Sequence, residues 1–217
     1  MKKTASTRDR IVDEARRLFN EQGYGQVTTA ALAAHLGMAE GNLWYHFKTR
    51  AALLDALEEQ FAVEIEARLA LRPGPDPVAG YGALLQALMA EFRSFRFLYR
   101  DQRSYGEGAV LIRTNSPQWL ERTFAQIEAH LAALVDAGLL DWPRERLRDL
   151  AINATIILRY GLEHFVELGE PTGEGSGTVR RTLKRHLTLF EHRLAPQAAD
   201  AIHAAIERIE ADSALAA

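Results

Sequence analysis

The chain has 217 residues, 47% of them hydrophobic and 25% charged, and no cysteine; this balance is that of a globular domain and excludes a disulfide scaffold, a thiolate nucleophile and a zinc site with sulfur ligands. No uncharged apolar run approaches the length a membrane span needs, and Met1-Lys2-Lys3-Thr4 leads into a charged segment, so a cytoplasmic protein with no membrane partner is expected. The net charge of -3 divides unevenly: residues 1 to 50 carry eight Lys/Arg against five acids, a balance of +3, which leaves -6 on the remainder, the asymmetry expected when one module alone meets phosphate.

Helical periodicity runs through the chain and no segment alternates with period two, so the fold class is all-α, an N-terminal three-helix helix-turn-helix module followed by a larger helical domain. A first helix is expected after Thr7, with Ile11, Ala15, Leu18 and Phe19 buried, ending at Gly23. Thr28 or Thr29 caps a short second helix with Leu32, Ala33 and Leu36 as its apolar stripe, ended by Gly37. A third starts near Ala39 or Glu40 and runs to about Phe47, with Leu43 and Phe47 facing inward. Thr49 caps a longer helix from Arg50 to about Leu71, which Pro73-Gly74-Pro75-Asp76-Pro77 stops. Later helices are expected at about 78 to 97, 100 to 113, 117 to 137, 143 to 168, 178 to 194 and 197 to 213, with a linker from Gly169 to Gly177. The expected division is a helix-turn-helix module at 1 to 55 and a larger helical domain at 56 to 217.

Two short helices joined by a tight connection containing Gly37 form the pattern of a helix-turn-helix. The glycine lets the helices cross steeply, so the second can enter a major groove while the first directs its N-terminal N–H groups at a phosphate. Gly41 leaves the start of that second helix bare for close approach to base edges. Asn42, Trp44, Tyr45 and His46 then crowd it with groups that a core would not need, although aromatics at helical spacing are more often buried. For Glu40 two readings stand, a favourable charge in the first turn of a helix or an acceptor for a cytosine amino group. A metal role for His46 finds no support, because His35 lacks a second ligand at helical spacing.

The stretch from Val27 to Gly37, followed by Gly41-Asn42-Leu43-Trp44-Tyr45-His46-Phe47-Lys48, resembles the DNA-binding domain of the tetracycline-repressor (TetR/AcrR) family over roughly residues 7 to 55. Phe97-Leu98-Tyr99-Arg100-Asp101 is similar to a segment of one branch of it. The resemblance implies phosphate contacts from Thr29, Trp44, Tyr45, His46, Lys48 and Arg50, and base contacts from Glu40, Gly41, Asn42 and Ala30. Two positions depart from the family pattern. Ala39 stands where Ser is common, which removes a side-chain cap worth about 1 kcal/mol, and Ala30 stands where some members carry a long polar side chain.

The same resemblance implies a homodimer on a palindromic double-stranded DNA operator, formed by residues 143 to 168 and 178 to 194 and controlled by an unidentified small-molecule effector. Leu147, Leu150, Ala151, Ala154, Leu158, Gly161, Leu162 and Phe165 wrap more than one face of the first of those helices. Candidate effector contacts are Phe95, Tyr99, Tyr105, Trp119, Phe124, Tyr160 and His164, with Phe92, Phe165 and Arg159 nearby in sequence, although such aromatics are commonly plain core. No cofactor is expected. There is no Gly-x-Ser-x-Gly, phosphate-cradling glycine loop or His-Glu-x-x-His, and adjacent Glu163 and His164 point to different faces of a helix, so an enzyme is not expected. An architectural DNA-binding protein or an activator would use the same fold; the resemblance favours a repressor.

Overall fold

The computed structural model describes residues 6–101, 104–106 and 108–209; Lys2, Lys3 and residues 210 to 213 of the expected last helix lie outside them. Ten α-helices occupy the described residues: α1 (Thr7–Gln22), α2 (Thr29–His35), α3 (Glu40–His46), α4 (Arg50–Leu69), α5 (Pro77–Ser94), α6 (Arg96–Arg100), α7 (Val110–Asp136), α8 (Leu147–Glu167), α9 (Thr178–Leu187) and α10 (Pro196–Arg208). One isolated antiparallel bridge, Leu140 to Leu194, is the sole extended pairing among the described residues.

Local chemistry accounts for most boundaries. The cap of α1 is Ser6 and not Thr7: the Ser6 hydroxyl accepts from the Asp9 N–H while the Asp9 carboxylate accepts from the Ser6 N–H, a reciprocal box that satisfies two orphan donors. Thr28 caps α2 by accepting from the Ala31 N–H at 3.1 Å, and Thr49 caps α4 by accepting from the Ala52 N–H at 3.0 Å. The helix expected at 100 to 113 does not form as one piece, because Gly106 and Ala109 turn into the left-handed region at φ 59° and 56°. Chain that was expected to stay helical to residue 97 breaks after Ser94 and restarts as α6. Conversely, α7 begins at Val110 and carries Pro117 inside it, where a helix start was expected. A proline removes one ladder bond, which the long helix around it tolerates. The expected helix from 143 opens with a 3-10 turn at Arg144–Arg146, and that from 178 ends at Leu187, before a second 3-10 turn at Glu191–Arg193.

The chain forms two compact units, Met1–Glu66 with Glu91–Pro117, and Ala67–Ala90 with Gln118–Ala217. This division differs from a boundary at residue 55 because α6 and its flanks pack with the first unit. Phe19 lies 5.1 Å from Tyr24 and 5.4 Å from Phe97, and Tyr24 lies 5.0 Å from Tyr105, ring centroid to centroid. In the second unit α8 buries all eight of the apolar positions anticipated for it. It packs on α9 so closely that a Cβ on Gly161 would lie 2.3 Å from the Thr182 methyl. No described helix is long and apolar enough to cross a membrane.

Candidate nucleic-acid interface

The turn between α2 and α3 depends on Gly37 at φ 65°, a conformation costly to other residues, which lets the Met38 N–H reach back to the Ala33 carbonyl at 3.0 Å. Ala39 holds the N-cap position of α3 and gives it no side-chain hydrogen bond. Leu43 and Phe47 are buried and anchor α3 from beneath. The opposite face is open: Gly41 and Asn42 are exposed, Tyr45 is 77% exposed, Trp44 37%, and His46 is half-buried with its ring edge-on to Tyr45. Among the described residues nothing requires the glycine at 41, since a Cβ there would meet no atom of them within 4 Å.

Thr29, half-buried at the start of α2, donates its hydroxyl to Glu40 Oε1 at 2.8 Å. Ala30 and Lys48 are exposed. Arg50 is placed differently from a phosphate-seeking side chain: its guanidinium carbon lies 3.9 Å from the Tyr24 ring centroid, and Nε and Nη2 are enclosed with no hydrogen-bond partner. Its charge rests on aromatic faces. Two arginines of α1 that sequence reasoning did not single out flank the interface. Arg8 sits over the Phe47 ring at 4.9 Å, at the end of α3. Arg17 donates to Glu14 at 2.9 Å and Glu21 at 2.7 Å and lies 2.5 Å from His35 Nε2, tying α1 to α2. Its hydrogen bond holds the Glu14 carboxyl below the ordinary carboxylate range. The i, i+3 and i, i+4 spacing of Glu14, Arg17 and Glu21 was a readable signal for that cluster; the contact between Arg8 and Phe47 had none.

The candidate effector residues are distributed over both units. In the first, Phe95 is buried 5.2 Å from Phe61 and from the Arg16 guanidinium, and Tyr99 donates to Glu91 at 2.5 Å while packing edge-on to Phe61 and Phe92. Tyr105 donates to the Phe97 carbonyl, and burial pushes its phenol up. In the second, Trp119 is buried, Phe124 lies beneath the Arg148 guanidinium, and His164 packs edge-on to Phe165. Tyr160 is half exposed and donates to Glu167 at 2.6 Å, and Arg159 is half-buried.

Residues 11–57 match the family of bacterial regulatory proteins, tetR family, and residues 60–202 match that described as bacterial transcriptional repressor. The chain is 32% identical over 131 residues to the class D tetracycline repressor protein of Escherichia coli, a match that covers 60% of this chain and only 55% of the relative's length. To the class A tetracycline repressor protein from transposon 1721, also of Escherichia coli, it is 31% identical over 175 residues, 79% of this chain and 72% of the relative. A solved TetR-family transcriptional regulator from Marinobacter aquaeolei shares the fold, with a TM-score of 0.74 at 23% identity, covering 95% of this chain and all of the other.

Proposed function

Because the chain belongs to the TetR family of bacterial transcriptional regulators, we propose that it is a homodimeric repressor that binds a palindromic operator through α3 and leaves it when a small-molecule effector binds. The observation that supports this reading is the two-sided character of α3, with Leu43 and Phe47 buried and Gly41, Asn42, Trp44 and Tyr45 open to solvent. A helix with its own anchors can offer the rest of its surface to a groove. In this reading Gly41, Asn42 and Glu40 approach base edges, with Ala30 contributing little, and Trp44, Tyr45, His46, Lys48 and Thr29 meet phosphates. Arg50 acts mainly through Tyr24, steadying the start of α4, and Arg8 takes the phosphate-facing place beside Phe47. All the proposed DNA contacts fall within residues 1 to 55, and an operator places the protein in the cytoplasm.

Dimerisation is supported by α8, where Ile156 is 58% and Tyr160 50% exposed, one turn apart, with exposed Val166 and Leu168 beyond them. Two recognition helices need half-sites about 34 to 36 Å apart or a multiple of it, which a two-fold dimer supplies. The tetracycline in the names of the relatives is not carried over to this chain.

The test is fluorescence anisotropy of the full-length protein with the DNA upstream of its own coding sequence. Saturable binding that weakens steeply with salt is expected, and Tyr45→Ala should lower affinity by about tenfold with little change in thermal stability, since the ring is mostly exposed. Salt-independent binding, or a Tyr45→Ala protein that binds as tightly, would overturn the assignment of α3.

A further inference from the structure

α3 carries no arginine or lysine between Glu40 and His46, so it lacks the side chains that most often read guanine. Its exposed residues offer other groups. Glu40 has Oε1 held by the Thr29 hydroxyl at 2.8 Å, and a carboxylate only accepts. Gly41 has no side chain, and a Cβ there would meet no described atom within 4 Å, so the space beside it is open to an approaching molecule. Trp44 has a single donor, and Tyr45 and the half-buried His46 follow Asn42 by one turn. Asn42 is different. It is exposed, its backbone N–H donates to the Ala39 carbonyl at 2.9 Å, and its carboxamide has no hydrogen-bond partner among the described residues. That carboxamide presents a donor and an acceptor side by side in one plane.

We propose that Asn42 is a specificity-determining residue that selects an A·T base pair in each operator half-site, its carboxamide pairing with the adenine in the major groove. The amide N–H donates to adenine N7 while the amide oxygen accepts from the adenine N6 amino group. No other base satisfies both groups at once. Guanine sets two acceptors, O6 and N7, against the amide oxygen, cytosine supplies only the N4 donor, and thymine supplies only the O4 acceptor beside its methyl group. Gly41, bare beside Asn42, leaves the edge of the base pair room to come close to the backbone. The inference rests on the operator-binding reading above and deepens it, from a helix that enters a groove to a base that the helix selects.

Selection from a DNA pool with a randomised palindromic half-site tests it, using the full-length wild type, Asn42→Asp and Asn42→Ala in parallel. In the wild type one half-site position should favour adenine over each other base by about tenfold or more. Asn42→Asp keeps the size of the side chain but can only accept, so the same position should turn to cytosine, whose N4 amino group donates, and Asn42→Ala should tolerate all four bases there. Preferences at the remaining positions should persist, and both variants should melt near the wild-type temperature, because Asn42 is exposed. Weaker binding by Asn42→Ala with every base preference intact would make Asn42 a phosphate contact and overturn the proposal, as would an Asn42-dependent position that prefers any base but adenine. A wild type that enriches no sequence overturns the operator reading and the base assignment with it; an enriched sequence that neither variant alters overturns the base assignment alone.

Discussion

The hydroxyl of Thr29 donates to the carboxylate of Glu40 at 2.8 Å, joining the first residue of α2 to the first residue of α3. Both residues were expected to face DNA, and their pairing means that a phosphate reaching Thr29 must share its hydroxyl with Glu40 or displace it. Glu40→Gln keeps an acceptor for Thr29 and removes the charge. It should change the preferred base at one half-site position, read by selection from a randomised half-site, because a carboxamide also donates where a carboxylate only accepts. An unchanged preference would confine Glu40 to holding the two helices together. Thr29→Val, which deletes the hydrogen bond, should cost about 1 kcal/mol of stability in urea unfolding.

Asn20 holds α1 to the segment that begins α6. Its Nδ2 donates to the carbonyls of Arg93 and Ser94, at 3.3 and 2.8 Å, and its Oδ1 accepts from the Phe97 N–H at 2.9 Å. Its own carbonyl accepts from Arg96 and Arg100. Asn20→Ala should therefore destabilise the protein by about 2–3 kcal/mol, counting roughly 1 kcal/mol for each lost side-chain bond. Denaturant midpoints check this, and a change within about 0.5 kcal/mol, ordinary for a surface site, would show that these bonds do not hold the segment.

Gly161 is a steric requirement of the contact between α8 and α9. Any Cβ there meets Thr182 Cγ2 at 2.3 Å and Oγ1 at 2.7 Å. Gly161→Ala should cost about 1–3 kcal/mol as an overpacked core position, despite the helical preference of alanine. Thr182→Ala in the same chain should recover much of that loss, so a double-mutant cycle should show strong coupling; additive effects would place the strain elsewhere.

His186 is fully buried and bonded through Nε2 to the Tyr81 hydroxyl at 2.5 Å, and burial lowers its pKa to about 3. In the unfolded chain a histidine titrates near about 6.5, so between these values the unfolded state binds more protons than the folded one. The stability due to neutral His186 is fully present above the unfolded value and is lost as the pH falls from there towards about 3. The slope is at most about 1.4 kcal/mol per pH unit for one proton. Melting curves from neutral to mildly acidic pH should show this decline in the wild type, and a shallower one in His186→Gln. Equal slopes would mean that other groups cause the acid sensitivity.

Helix identity along this chain was legible because its signals act within one turn. Thr28, Gly37 and Thr49 mark helix ends through bonds to residues at most five positions away, and the spacing of Leu43 and Phe47 identified the buried side of α3. The same local logic separated the exposed Tyr45 and Asn42 from that core. It misjudged α6 and α7, where a positive φ at Ala109 and a tolerated proline at 117 run against residue preference.

Tertiary contacts alone decided that α6 joins the unit carrying α3, that Arg50 lies on Tyr24, and that Arg8 covers Phe47. Each depends on groups far apart along the chain, such as Asn20 and Ser94, which meet across 74 positions. Periodicity reports which side of a helix is apolar, whereas the neighbour that covers that side is chosen by the packing of all the helices at once.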